Sequence, residues 1–91
     1  MSEHRTIRVH GRVQGVFFRQ STREQAENLA LCGLVRNNAD GTVTIEAEGP
    51  TEALDLLQQW CQQGPPAARV DRIEVQPGHI QYYTKFEVQR G

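Results

Sequence analysis

The apolar residues of this chain change period abruptly across Gly11-Arg12-Val13-Gln14-Gly15-Val16-Phe17-Phe18-Arg19. Before it, residues 5–13 alternate, with Ile7 and Val9 on one side and Thr6, Arg8 and His10 on the other, the period of a half-buried strand. After it, Phe18, Thr22, Ala26, Leu29 and Ala30 recur at helical spacing, which predicts a helix over 19–32. A strand must therefore pass into a helix through a short loop. Gly11 and Gly15 let that backbone turn tightly with its amides inward. Such a turn at a helix N-terminus gathers N–H donors at the positive end of the helix dipole, where an anion is favoured. Arg19 falls in the first helical turn, and its guanidinium can grip a phosphate through paired bonds. On the residues alone two readings stand: an anion cradle covered by an arginine, and a glycine-rich connection with a solvated arginine. The loop is not a Walker A motif, since no Gly-Lys-Ser/Thr follows, nor is it a dinucleotide fingerprint.

The rest of the chain reads in the same terms. Gly33 is placed to end the first helix in a left-handed cap, and residues 34–38 form a short second strand. Asn38-Ala39-Asp40-Gly41 predicts a tight turn with Gly41 at positive φ. In residues 42–48, Val43, Ile45 and Ala47 alternate with Thr44, Glu46 and Glu48, an amphipathic strand. Gly49-Pro50 breaks it, and Thr51 can cap a second helix whose buried stripe is Ala53, Leu54, Leu57, Trp60 and Cys61. Gly64-Pro65-Pro66 stops that helix near Gln62. Strands follow over 70–75 and 83–89, separated by a turn near Pro77-Gly78. The order is βαββαβ with an extra C-terminal strand. It predicts an α+β, ferredoxin-like α/β sandwich, with two helices on one face of a mainly antiparallel sheet and the other face wet. In that topology Arg19 and Asn37 both finish at the same end of the sheet, beside the loop.

Ninety-one residues suit a single domain over 1–91. No apolar run approaches a membrane span and no leader-like apolar segment opens the chain, so a cytoplasmic location without membrane partners is expected. The formal net charge is -1, which argues against general nucleic-acid binding. Its distribution is uneven: residues 1–23 carry five arginines and one glutamate, the remainder five basic and ten acidic residues. A basic segment around the loop suits a small anionic substrate better than a long polyanion. Cys32 and Cys61 lack CxxC spacing. The topology puts them about a helix length apart, on the order of 15–20 Å, so free thiols and no metal site are expected.

Gly-Arg-Val-Gln-Gly-Val-Phe-Phe-Arg resembles the signature loop of the acylphosphatases, small enzymes that hydrolyse carboxyl phosphates. Gly33-Leu34-Val35-Arg36-Asn37, with Asp40-Gly41, is similar to the family's second signature, and weaker similarity runs on through Glu48-Gly49-Pro50, Trp60 and Gly64 to Val70. The resemblance implies a metal-independent, cofactor-free hydrolase. In it Arg12, Val13, Gln14, Gly15, Val16, Phe17, Phe18 and Arg19 bind the phosphoryl group, and Arg19 and Asn37 are catalytic. It also implies a small-molecule acyl phosphate as substrate, inorganic phosphate or sulfate as site ligand, and a monomer. The family often ends in an aromatic residue with its terminal carboxylate near the arginine; this chain ends Val88-Gln89-Arg90-Gly91 instead.

The residues suit that chemistry independently. The loop has no nucleophile: the cysteines lack an adjacent base, and alternation turns His10 to the solvated face. His4 and His79 sit in terminal and turn segments. Asp40 is explained by its turn, and no second carboxylate is spaced to share a metal with it. An acyl phosphate needs none of these, because it expels a carboxylate whose conjugate acid has a pKa of about 4. Positioning and charge stabilisation then suffice: loop amides and Arg19 for the phosphoryl oxygens, the Asn37 carboxamide for an in-line water. Two other classes compete. An RNA-recognition module would stack bases on aromatics of the open face, which here offers only Arg8, His10, Thr44, Glu46 and Glu48. A regulatory domain that binds a small phosphate without turnover is separated only by assay.

Overall fold

The computed structural model describes residues 2–90. The elements are β1 (Ser2–Arg12), α1 (Phe18–Asn28), β2 (Cys32–Asn37), β3 (Val43–Pro50), α2 (Thr51–Cys61), β4 (Arg69–Gly78) and β5 (Phe86–Gln89). They build one sheet in the order β4-β1-β3-β2-β5. β1 lies antiparallel to both β3 and β4, β2 is antiparallel to β3, and only β2–β5 is parallel. Each helix thus connects two parallel strands with a third strand between them, the split-βαβ pattern.

The alternation predicted for β1 and β3 decides which face the helices cover. Ile7 stands opposite Ile45 and Val9 opposite Val43, and all four are fully buried. Phe18, Thr22 and Ala26 of α1 and Leu54, Leu57 and Cys61 of α2 close the core over them. The Phe18 and Trp60 rings meet at 5.4 Å between centroids, tilted by 54°. Both cysteines are free thiols. Burial pushes the Cys61 thiol up to about 12.

Several local expectations are corrected. The first helix stops at Asn28, and Ala30, not Gly33, takes the left-handed position at φ 57. The Leu31 N–H reaches the Ala26 carbonyl and the Ala30 N–H reaches that of Glu27, a Schellman closure. Gly33 serves β2 instead: a Cβ there would lie 1.8 Å from the Glu46 carbonyl oxygen. Cys32 therefore opens a strand and does not end a helix. Thr51 is the first residue of α2 and donates its hydroxyl to Glu3 at 2.9 Å, while Pro50 holds the cap position. β4 runs on through Pro77-Gly78, tolerated because it is an edge strand.

The second sheet face is not simply wet. His4, Thr44 and Glu48 are buried there: the segment 79–85, on its way from β4 to β5, packs over His4 and Glu48, and the Asn38 side chain donates to the Thr44 hydroxyl. Tyr83, expected within the last strand, lies in this crossing segment. Its ring stacks on His4 at 6.2 Å and its hydroxyl donates to Glu46 at 2.8 Å. An aromatic thus does occupy the open face, but packed over it. His10, expected solvated, pairs with Glu74.

Candidate active site

The loop between β1 and α1 is anchored on the core side by Val13 and Val16, both buried. Gln14 holds the other side: its Nε2 donates to the carbonyls of Asn38 and Thr42 at 2.8 and 3.0 Å, tying the loop to the β2–β3 turn. Gly15 sits at φ 74 and Phe17 at φ 63, two left-handed residues with one between them. Nothing lies within 4 Å of a Cβ built on Gly15, so glycine is required there by backbone conformation rather than by space.

Phe17 occupies the N-cap position of α1 yet makes no side-chain cap, and the first turn carries no acidic residue. Helix N-termini leave their first N–H groups without intrahelical partners, and a capping oxygen or a carboxylate normally answers them. Among the described residues, neither the N-cap side chain nor the first turn supplies one.

A cleft of about 570 Å³ opens at this point. Val13, Gly15, Phe17, Phe18, Arg19 and Asn37 line it, together with Gln20, Val88 and Arg90. Arg19 is steered from the neighbouring strand, its Nη1 donating to the Gln89 carbonyl at 2.7 Å. One guanidinium edge is thereby fixed, and among the described residues the Arg19 side chain makes no other hydrogen bond. The anchor is a backbone carbonyl of β5; the terminal carboxylate of Gly91 lies outside the described residues. Asn37 ends β2 on the same face as the buried Gly33 and Val35. Asn38 belongs to the opposite face, where its Nδ2 donates to the Thr42 and Thr44 hydroxyls at 2.9 and 2.7 Å.

Three residues of the expected phosphate loop do not line this cleft. Val16 faces the core, Gln14 braces the loop from behind, and Arg12 borders a separate hollow with His10, Arg69 and Arg72. Sequence reasoning missed Gln20, Val88 and Arg90. Val88 had a signal, since it shares a face with Phe86, but only the parallel β2–β5 pairing brings that face to the loop.

Asp40 stabilises the β2–β3 turn behind the cleft. The Thr42 hydroxyl and N–H, with the charge of Arg8 adding to them, hold its carboxyl below the ordinary value. Among the described residues, no three His, Cys, Asp or Glu side chains are grouped closely enough to hold a metal ion.

Fold and loop together define the class, a ferredoxin-like α/β sandwich with its cleft at the β1–α1 turn. The acylphosphatase family model matches residues 5–88, and the chain belongs to that family. An acylphosphatase of Alkalilimnicola ehrlichii is 52% identical over 75 residues, which span 82% of this chain and 84% of that protein. The solved structure of an acylphosphatase from Coxiella burnetii is similar at a TM-score of 0.94 and 36% identity, over 97% of this chain and 93% of that one. The corresponding values for the acylphosphatase from Bacillus subtilis are 0.91, 37%, 98% and 99%.

Proposed function

We propose that this protein hydrolyses the carboxyl–phosphate bond of acyl phosphates, releasing a carboxylate and inorganic phosphate. The observation that carries the reading is the α1 N-terminus, without a capping side chain or an acidic residue in its first turn, opening into a cleft shared with Arg19 and Asn37. The loop amides and the first-turn N–H groups bind the phosphoryl oxygens, and Arg19 adds charge-assisted bonds. Both act most strongly on the oxygens where charge gathers in the transition state. The Asn37 carboxamide holds the attacking water in line with the departing carboxylate, and a phosphoryl oxygen of the substrate accepts the water's proton. The carboxylate leaves without protonation, so the site needs no general acid. Inorganic phosphate and sulfate fit the same cradle as competing ligands.

A cytoplasmic location belongs to the same proposal. Among the described residues no helix is long and apolar enough to cross a membrane, and cell fractionation tests it.

The test of function is hydrolysis of benzoyl phosphate followed by loss of ultraviolet absorbance, in excess chelator and again with added magnesium. The expected result is turnover in chelator, unchanged by magnesium. A protein that binds phosphate but never turns the substrate over is a binding module, and one that needs a divalent ion does not use this mechanism.

A further inference from the structure

The cleft is larger than the group proposed to react in it. It measures about 570 Å³, whereas a phosphoryl group, at roughly 30 Å³ for each water-sized oxygen, takes on the order of 100 Å³. The remaining space lies where the acyl portion of a substrate must go, and Phe17, Gln20, Val88 and Arg90 border the cleft beside Arg19 and Asn37.

Phe17 is the unusual member of this group. It is 79% exposed, although large and apolar, while its neighbour Phe18 is 2% exposed and packs on Trp60. Its backbone stands at φ 63, a region that non-glycine residues adopt rarely. A lone exposed aromatic is ordinary on a protein surface. One held in a left-handed conformation on the wall of a cleft, between the phosphate loop and the helix, points to a ligand. Val88 supplies a second apolar surface within the same cleft.

We propose that Phe17 recognises the acyl group, offering a ring face to flat apolar acyl chains, aromatic ones above all, while the phosphoryl group sits in the loop. The inference rests on the acyl-phosphate reading above. Aromatic rings attract one another in offset or tilted arrangements, beyond the gain from buried area. An acetyl group has no ring with which to use that surface. Phe17 is thus a specificity residue of the site, separate in action from Arg19 and Asn37.

The experiment compares kcat/KM for benzoyl and acetyl phosphate in the native protein and in Phe17→Ala, Phe17→Gly and Phe17→Trp. Inhibition by inorganic phosphate, benzoylphosphonate and acetylphosphonate is measured alongside. The benzoyl-to-acetyl ratio should fall about tenfold in Phe17→Ala and stay near native in Phe17→Trp, with phosphate inhibition unchanged. Phe17→Gly suits φ 63, so it removes the ring while keeping the loop conformation and should reproduce the alanine result. An equal fall for both substrates, or an unchanged ratio, overturns the proposal. The phosphonates separate it from the reading beneath it. If neither phosphate is turned over but benzoylphosphonate still binds more tightly than acetylphosphonate in a Phe17-dependent way, hydrolysis fails and acyl recognition stands. Equal binding of the two phosphonates by the native protein overturns acyl recognition whatever the turnover.

Discussion

The two ends of the sheet use the same resource in opposite ways. His4 and Arg12 lie eight residues apart on β1, about 26 Å along the strand, and at each end backbone N–H groups are presented by an irregular segment. At the His4 end the chain supplies its own anion. The Glu48 carboxylate accepts from the Gln81 N–H, the Tyr83 N–H at 3.2 Å and His4 Nδ1 at 2.8 Å. Burial alone would raise that carboxyl; the hydrogen bonds from Gln81, His4 and Tyr83 outweigh it and hold its pKa below the ordinary 4.5. At the Arg12 end the donors of the loop and of α1 meet no carboxylate from their own helix turn. Donors answered from within the chain make a structural clasp, whereas on the proposed function the donors at the open end are answered by the substrate's phosphoryl group.

The largest expected effect comes from removing charge at the open end. Arg19→Ala should lower kcat/KM about 10²–10³-fold, the scale of losing one donor to a developing oxyanion. Lysine at position 19 should rescue poorly, since it lacks the planar fork. Thermal unfolding with phosphate gives an independent measure. A ligand at 100 times its Kd stabilises the folded state by about 2.7 kcal/mol, and the variant should lose most of that gain. Undiminished phosphate affinity in Arg19→Ala would remove this arginine from the site.

Next is Asn37→Ala, expected to lower kcat about 10²-fold, the cost of a misplaced reacting group. Phosphate inhibition should stay nearly native, because the contact matters chiefly in the transition state. Asn38→Ala is the matched control. It removes two donors to threonine hydroxyls on the far face, so it should cost about 1–2 kcal/mol of stability while sparing kcat. A larger kcat loss in Asn38→Ala than in Asn37→Ala would take the water-orienting role from Asn37.

The closed end is probed by Glu48→Gln, with an effect on stability rather than turnover. Replacing a carboxylate that three donors share should cost about 2 kcal/mol at pH 7, or about 8–16 °C in Tm for a domain of this size. The folded pKa is depressed, so the native protein holds this contribution fully above the unfolded value and loses it as pH falls through the folded one. The gap between native and Glu48→Gln should therefore be widest at neutral pH and narrow below about pH 4.5. A gap that widens on acidification would mean that Glu48 is not the group the clasp depends on.

The open end was far more legible in the sequence than the closed one. Gly11 to Arg19 announces itself because two backbone periods meet there, and β1 and β3 alternate cleanly enough to orient both helices. Alternation also assigns Glu48 to the face opposite the helices, but it cannot say that residues 79–85 cover that face. Those residues have no period, and their course depends on β5 joining the far edge beside β2. The same long-range pairing brings Val88, Arg90 and the Gln89 carbonyl to the cleft, so the anchor of Arg19 was not readable. Gly33 misled for a local reason. A glycine after a helical run signals a cap, yet this one answers to the close approach of the Glu46 carbonyl.

The smallest effects sharpen the comparison most, because each end of α1 carries one left-handed non-glycine residue. Phe17 precedes the helix at the open end, and Ala30 follows it near Cys32, the residue paired in register with Glu48. A left-handed side chain costs on the order of 1–2 kcal/mol relative to glycine, partly offset by the freedom glycine adds to the unfolded chain. Ala30→Gly should therefore stabilise the protein by about 1 kcal/mol, raising Tm by about 4–8 °C, with kcat and KM unchanged. Phe17→Gly relieves the same conformation, so it should gain a similar amount. The two variants part company in the assay: Ala30→Gly keeps the native benzoyl-to-acetyl ratio, and Phe17→Gly loses it. Strain at the closed end then has no counterpart in substrate choice, whereas strain at the open end holds a ring where the acyl group binds. If Phe17→Gly stabilises without changing the ratio, the left-handed backbone at position 17 serves only the path of the loop.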